Sequence, residues 1–255
     1  MDKILKKIPE ITLLFWITKI TATTLGETAG DLLSMTMNVG YAISSIILIG
    51  FFFVTVTAQL IVKHYIPTLY WIVIVATSTA GTTMSDYMDR TLHLGYALGA
   101  SILVTILIIV LIVWRLTEKT ISVDHIKTRR AEMFYWTAIL FSNTLGTALG
   151  DFLADSSGLG FLGSALLITG VLVLVILAHY FTKISSVVLF WIAFVLTRPF
   201  GATFGDLLTK SHEKGGMDLG TKGSSMVLFG FLVVLVIYES MKEKPKKLKA
   251  IRKRN

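Results

Sequence analysis

Trp16, Trp71, Trp136 and Trp191 stand 55, 65 and 55 residues apart, and each is followed fifteen residues later by an aspartate: Asp31, Asp86, Asp151 and Asp206. Ten residues after each Trp comes Gly26, Gly81, Gly146 or Gly201, and fourteen after comes Gly30, Ser85, Gly150 or Gly205. Nine residues beyond the first three Asp stand Gly40, Gly95 and Gly160, whereas in the last copy Gly220 follows a longer polar loop. A register held through four copies means one structural unit repeated four times.

The apolar runs set the shape of that unit. They fall at about 11–33, 40–62, 66–88, 94–114, 132–153, 159–181, 186–208 and 223–239, two per copy, each long enough to cross a hydrocarbon core of roughly 30 Å. A mean hydropathy of +0.73, with 54% hydrophobic and 16% charged residues, agrees with lipid as the solvent. The expected fold is therefore an all-α integral membrane protein of about eight transmembrane helices, built from four two-helix repeats. An even number of spans per repeat makes the copies parallel and places their pseudo-symmetry axis along the membrane normal. The chain divides into a basic N-terminus (1–10), repeats at 11–62 and 66–114, a charged linker (115–131), repeats at 132–181 and 186–239, and a polybasic tail (240–255).

The net charge of +8 invites a nucleic-acid reading, but the cations flank apolar segments as orientation signals do, and no nucleic-acid partner is expected. With both termini cytoplasmic, eighteen cations fall inside and four outside (Arg90, Lys210, Lys214 and Lys222). The N-terminus has no small-residue cleavage site after a short apolar core, so it reads as an uncleaved first helix. The absence of cysteine excludes disulfides, thiolate metal sites and cysteine nucleophiles.

On the Trp-to-Asp register and the four paired spans, the chain resembles a family of bacterial membrane-anchored proteins made of four tandem repeats of unknown function (domain of unknown function 347). The resemblance implies the four-repeat membrane fold, residence in the bacterial inner membrane and, at most, a transport role. It assigns no residue a function.

Fifteen residues of helix span roughly 22 Å, so a Trp at the cytoplasmic interface puts four Asp at one depth in the outer half of the bilayer. The Gly-xxx-Gly or Gly-xxx-Ser element before each Asp lets helix backbones approach closely. Positions eight, twelve and fifteen after Trp form oxygen-lined stripes: Thr24, Thr28 and Asp31; Thr79, Thr83 and Asp86; Thr144 and Asp151; Thr203 and Asp206. Glu27 adds a carboxylate. These eleven residues are the expected cation-binding set, and the four Asp with Glu27 are the expected metal ligands, because intramembrane carboxylates are expensive to retain. Threonines that bond back to their own helix, and glycines that serve packing alone, are the competing reading.

Two cations break the symmetry. Lys19 is expected to snorkel to the inner interface or to act as a counter-ion, and Arg198, followed by Pro199 in a helix that must kink or unwind, is expected to be a counter-ion or gate. Five buried acids against these two bases leave a surplus of about three negative charges for a cation to neutralise. His64 and His179, Asp89 and Asp155, and Met35, Met84 and Met88 are weaker candidates, each with a packing or solvation reading.

The leading expectation is a transporter of a small cation, a divalent metal such as manganese, coupled to protons through the same carboxylates. A pseudo-fourfold cation channel and a non-transporting membrane scaffold are the alternatives. No Walker A sequence, HExxH or GxSxG is present, so neither an ATPase nor another enzyme is expected, and no cofactor. Homo-oligomerisation and the grouping of the four Asp, as one ring or as a pair in each half, stay open.

Overall fold

Each repeat starts and stops its helices with local chemistry. Thr12 opens α1 (Leu13–Asp31) by accepting the Phe15 N–H at 3.4 Å, and Thr128 opens α5 (Arg129–Asp151) by accepting the Ala131 N–H at 2.9 Å. Pro67 begins α3 (Pro67–Asp86), where its missing N–H costs nothing. The Asp of the first three repeats ends its α-helix, and a π-turn follows: Leu32–Thr36, Tyr87–Thr91 and Phe152–Ser156. The outer helices α2 (Tyr41–Ile61), α4 (Tyr96–Glu118) and α6 (Gly160–Phe181) then begin at Gly40, Gly95 and Gly160, whose φ values of +81°, +72° and +66° explain the recurrent glycine. The fourth repeat keeps α7 (Ser186–Thr209) helical past its Asp and reaches α8 (Thr221–Arg252) through a loop with a short 3-10 turn, His212–Lys214.

The computed structural model describes residues 7–252, with side chains as far as residue 243. Lys3 and Lys6 lie outside the described residues, and so do the last three residues of the tail. The backbone of the expected tail continues α8 to Arg252. Among the described residues there are eight α-helices and no strand.

The inner helices α1, α3, α5 and α7 close into a ring: α1 packs on α3 and α7, and α5 packs on the same two. Each outer helix packs chiefly on the inner helix of the following repeat, α2 on α3, α4 on α5 and α6 on α7, while α8 returns to α1. The packing unit is thus shifted by one helix from the sequence repeat. Three of the four hairpins are joined by a loop, and the fourth, α8 with α1, is joined by side chains alone. The Ser225 hydroxyl donates to Thr28 Oγ1 at 2.9 Å, and the Thr36 and Thr221 hydroxyls lie 2.7 Å apart.

The glycines make the ring tight, in cyclic order. A Cβ at Gly26 would collide with Ser78 of α3, at Gly81 with Asn143 of α5, at Gly146 with Arg198 of α7, and at Gly201 with Thr23 of α1. One turn on, Gly30 faces Thr82, Gly150 faces Ala202 and Gly205 faces Glu27. Each small-xxx-small face therefore receives the next helix around the ring.

Three of the four Trp residues of the register turn into the helix bundle. Trp71, Trp136 and Trp191 are buried, and each Trp meets the aromatic that precedes the Trp of the neighbouring repeat: Phe15–Trp71, Tyr70–Trp136, Tyr135–Trp191 and Phe190–Trp16, with centroids 5.5–6.4 Å apart. The belt closes on itself and fills one end of the ring with aromatic contacts. At the same end Glu239 of α8 accepts the Tyr65 hydroxyl at 2.6 Å and the Trp71 indole N–H at 2.7 Å. Burial, then the Glu239 carboxylate, push the Tyr65 phenol above its ordinary range, so it remains a donor at neutral pH.

Among the described residues five helices, α2, α4, α6, α7 and α8, are long and apolar enough to cross a membrane, and the chain is a membrane protein. The outer helices turn residues such as Ile46 and Val54 outward, 73% and 70% exposed. The other three inner helices fall short on composition because one face of each carries Thr, Ser, Gly and charged residues, which the ring buries.

Candidate functional site

The face each inner helix turns to the axis follows the steps three, seven, eleven and fifteen after Trp, one residue per turn. At the third step stand Lys19, Ile74, Ile139 and Phe194; at the seventh Thr23, Ser78, Asn143 and Arg198; at the eleventh Glu27, Thr82, Thr147 and Ala202; at the fifteenth the four Asp.

Arg198 ties this axis together. Fully buried, it donates from Nη1 to Glu27 Oε2 at 2.9 Å, and from Nη2 to Thr82 Oγ1 at 2.5 Å, Thr147 Oγ1 at 2.7 Å and the Ser78 carbonyl at 3.3 Å. The Thr82 and Thr147 hydroxyls in turn donate to Glu27 Oε2 at 3.3 and 3.2 Å. One side chain of α7 thus meets all three other inner helices. The guanidinium fork suits such a node, since it delivers several donors in a fixed plane. Arg198 thus forms a buried ion pair with Glu27. Pro199 does not unwind the helix, which runs unbroken from Ser186 to Thr209.

The four Asp are bridged in two pairs. Arg90 reaches Asp86 at 2.7 Å and Asp151 at 3.2 Å; Lys210 reaches Asp31 at 2.6 Å and Asp206 at 3.0 Å. The pairs join repeats two and three, and repeats four and one, so each spans the two halves of the chain instead of lying within one. Arg90 and Lys210 belong to the segments read as outer loops, yet helical geometry returns each to the Asp one turn before it. Their side chains, 35% and 18% exposed, form the rim of the ring at the end opposite the aromatic belt. Glu27, Asp31 and Asp206 each bring a carboxylate oxygen within 4.8 Å of the others, an arrangement able to hold one metal ion between α1 and α7.

The charges along the axis are therefore sorted, not simply in surplus. Among the Asp level, four carboxylates against Arg90 and Lys210 leave a formal charge of −2; among the deeper levels, Lys19 and Arg198 against Glu27 leave +1. The surplus of three negative charges inferred from the sequence shrinks to one overall.

The threonine stripes lie to one side of the axis. Thr24, Thr79, Thr144 and Thr203 are buried and donate to carbonyls of their own helices, at Ile20, Val75, Leu140 and Pro199; Thr83 does the same toward Thr79. Thr28 bonds Leu25 O and accepts from Ser225. Among the described residues none of them hydrogen-bonds a carboxylate. The axis oxygens are instead Thr82, Thr147 and Ser78, one residue earlier in the register, which an i, i+4 reading counted from Arg198 to Glu27 and the Asp would have found.

Lys19 does not snorkel. It is fully buried, its Nζ 3.6 Å above the Phe194 ring centroid. His64, His179 and Asp155 are exposed, and Asp89 is buried beside Ser85. Met35 Sδ lies 4.0 Å from Lys210 Nζ, at the rim.

These features define a class: a helical membrane protein built as a closed ring of four two-helix repeats, with a charged, side-chain-filled axis. The chain belongs to the family of the Repeat of Unknown Function (DUF347), whose model matches four times, over residues 14–65, 69–120, 134–185 and 189–244. Neither the curated proteins nor the solved structures contain a match.

Proposed function

We propose that the protein is an eight-span transporter of the bacterial inner membrane, with both termini cytoplasmic, that moves a small cation along the axis of the inner ring in exchange for protons. The cargo best matched is a divalent metal ion such as manganese. The observation that carries this reading is the Asp level, where four buried carboxylates retain a formal −2 after their bridges to Arg90 and Lys210. One divalent ion, or two protons, balances that charge, which makes the two natural competitors for the same oxygens.

The rim cations supply a way in. Lys210 and Arg90 are partly exposed, so each ammonium or guanidinium can swing into water while its Asp pair stays buried. An entering divalent ion then displaces Lys210 from Asp31 and Asp206, with Glu27 as the nearest third carboxylate. Protons arriving at the carboxylates release it. The aromatic belt at the other end keeps the axis closed meanwhile, so the described state has its outer gate made of ion pairs and its inner gate of rings. Eighteen cations against four orient the belt toward the cytoplasm.

Proteoliposomes test the reading. Replacement of Asp31, Asp86, Asp151 and Asp206 by Asn is expected to abolish manganese flux and its dependence on a pH gradient, while unchanged flux would reject it. The four parallel inner helices around one axis also favour a pseudo-fourfold channel. Unitary currents in planar bilayers would establish that alternative; saturable, pH-coupled flux without them belongs to a carrier.

A further inference from the structure

Every other cation of the axis has a carboxylate partner: Arg198 has Glu27, Arg90 has Asp86 and Asp151, and Lys210 has Asp31 and Asp206. Lys19 has neither an ionic nor a hydrogen-bonding partner among the described residues, although it is fully buried. An isolated ammonium in a low-dielectric interior is one of the most costly arrangements a protein can hold, relieved either by loss of its proton or by an anionic partner. One neighbour, the face of Phe194 at 3.6 Å, attracts a cation through its ring quadrupole.

Three further polar atoms at the next level share this condition. Arg198 Nε, Ser78 Oγ and Asn143 Oδ1 are buried and, among the described residues, make no hydrogen bond, although other atoms of Arg198 and Asn143 are well bonded. They come from α7, α3 and α5, and Lys19 from α1, so all four inner helices bring an unmatched polar atom to adjoining turns. Of the sixteen buried side-chain atoms without a hydrogen bond among the described residues, these four fall on adjoining turns of the axis register. Three of the four are donors, and two carry positive charge.

We infer that this stretch, between Lys19 and Arg198, is a binding site for a small inorganic monoanion of halide size. Lys19 Nζ, Arg198 Nε–H and the Ser78 hydroxyl are its donors. A single negative charge there offsets the formal +1 left by Lys19, Arg198 and Glu27, as a divalent cation offsets the −2 of the Asp level. Phe194, Ile74 and Ile139, buried at the same register step as Lys19, make its level apolar, which suits a weakly hydrated ion over a strongly hydrated one such as sulfate. The inference stands on the unmatched donors and not on the cation-transport reading.

Thermal unfolding of the purified, detergent-solubilised protein tests it, with chloride or bromide exchanged for gluconate at constant ionic strength. The wild-type protein is expected to show a saturable rise in Tm of roughly 5–10 °C once halide exceeds its dissociation constant about a hundredfold. Lys19→Met should lose that rise, and Lys19→Arg should keep it. Asp31→Asn should also keep it, which separates the anion site from the cation site even if metal flux is never observed. A wild-type Tm indifferent to halide overturns the inference, and so does a Lys19→Met protein with the same saturable rise, since the ion would then bind elsewhere, for instance on the basic tail. Should Lys19→Met fail to fold, the wild-type titration and the Lys19→Arg variant still decide between these outcomes.

Discussion

Arg198 shows how one residue can hold an entire polar interior. Its fork satisfies Glu27 directly, and Thr82 and Thr147 accept from it while donating to the same carboxylate, so the charge pair is wrapped by hydroxyls from two further helices. A buried pair of this kind contributes little net stability over an apolar substitute, but breaking it leaves a lone charge. Arg198→Met is therefore expected to destabilise the protein by about 3–5 kcal/mol, and Arg198→Met combined with Glu27→Gln to recover most of that loss. The comparison of Tm across the two single variants and the double variant checks it. Additive losses would mean that the two side chains do not act as a pair.

At the scale of the element, the inner helices owe their close approach to glycine, whereas the mid-helix glycines of α2 and α6 face open space. A Cβ at Gly81 would lie 2.9 Å from the backbone of Asn143 and Thr144, which cannot yield without moving α5, whereas nothing lies within 4 Å of a Cβ at Gly50 or Gly170. Gly81→Ala is accordingly expected to cost about 1–3 kcal/mol by overpacking. Gly50→Ala and Gly170→Ala, in α2 and α6, should be neutral or gain up to about 1 kcal/mol through helix propensity. Unfolding temperatures of the three variants in one detergent would settle the contrast, and equal losses at all three positions would remove the packing argument.

For the whole molecule the decisive feature is that the ring closes through a contact the chain does not enforce, α8 on α1. Lys7 meets Glu132 and the C-terminal end of α2, and Glu239 meets Tyr65 in the α2–α3 loop, so the first described residue and α8 at Glu239 lie at the aromatic-belt end. A circular permutant that joins the two termini by a flexible linker and opens the chain between Glu118 and Arg129 should fold to the same ring. Monodisperse elution and a Tm within a few degrees of the parent are the expected result. Aggregation of the permutant, with the parent well behaved, would show that chain order and not cyclic packing directs assembly.

The repeat, the helical class, the parallel copies and the common level of the four Asp were all legible in the sequence, because they depend on periodicity, on apolar length and on the high cost of buried charge. The glycine register was legible as well, since only close backbone approach requires it. Which threonines face the axis was not: Thr82 and Thr147 differ from Thr83 and Thr28 only by rotation of the helix about its own axis, and that angle is set by the neighbours it packs against. Nor were the partners of the Asp, since Arg90 and Lys210 look like loop residues until α3 with its π-turn, and α7, carry them one turn back onto the ring. The shift of packing by one helix, with the closed aromatic belt, the sorted charges and the unpaired Lys19 that follow from it, arises only when four copies meet. A linear pattern states how each helix is made, and the contacts between helices state which of its faces becomes the inside.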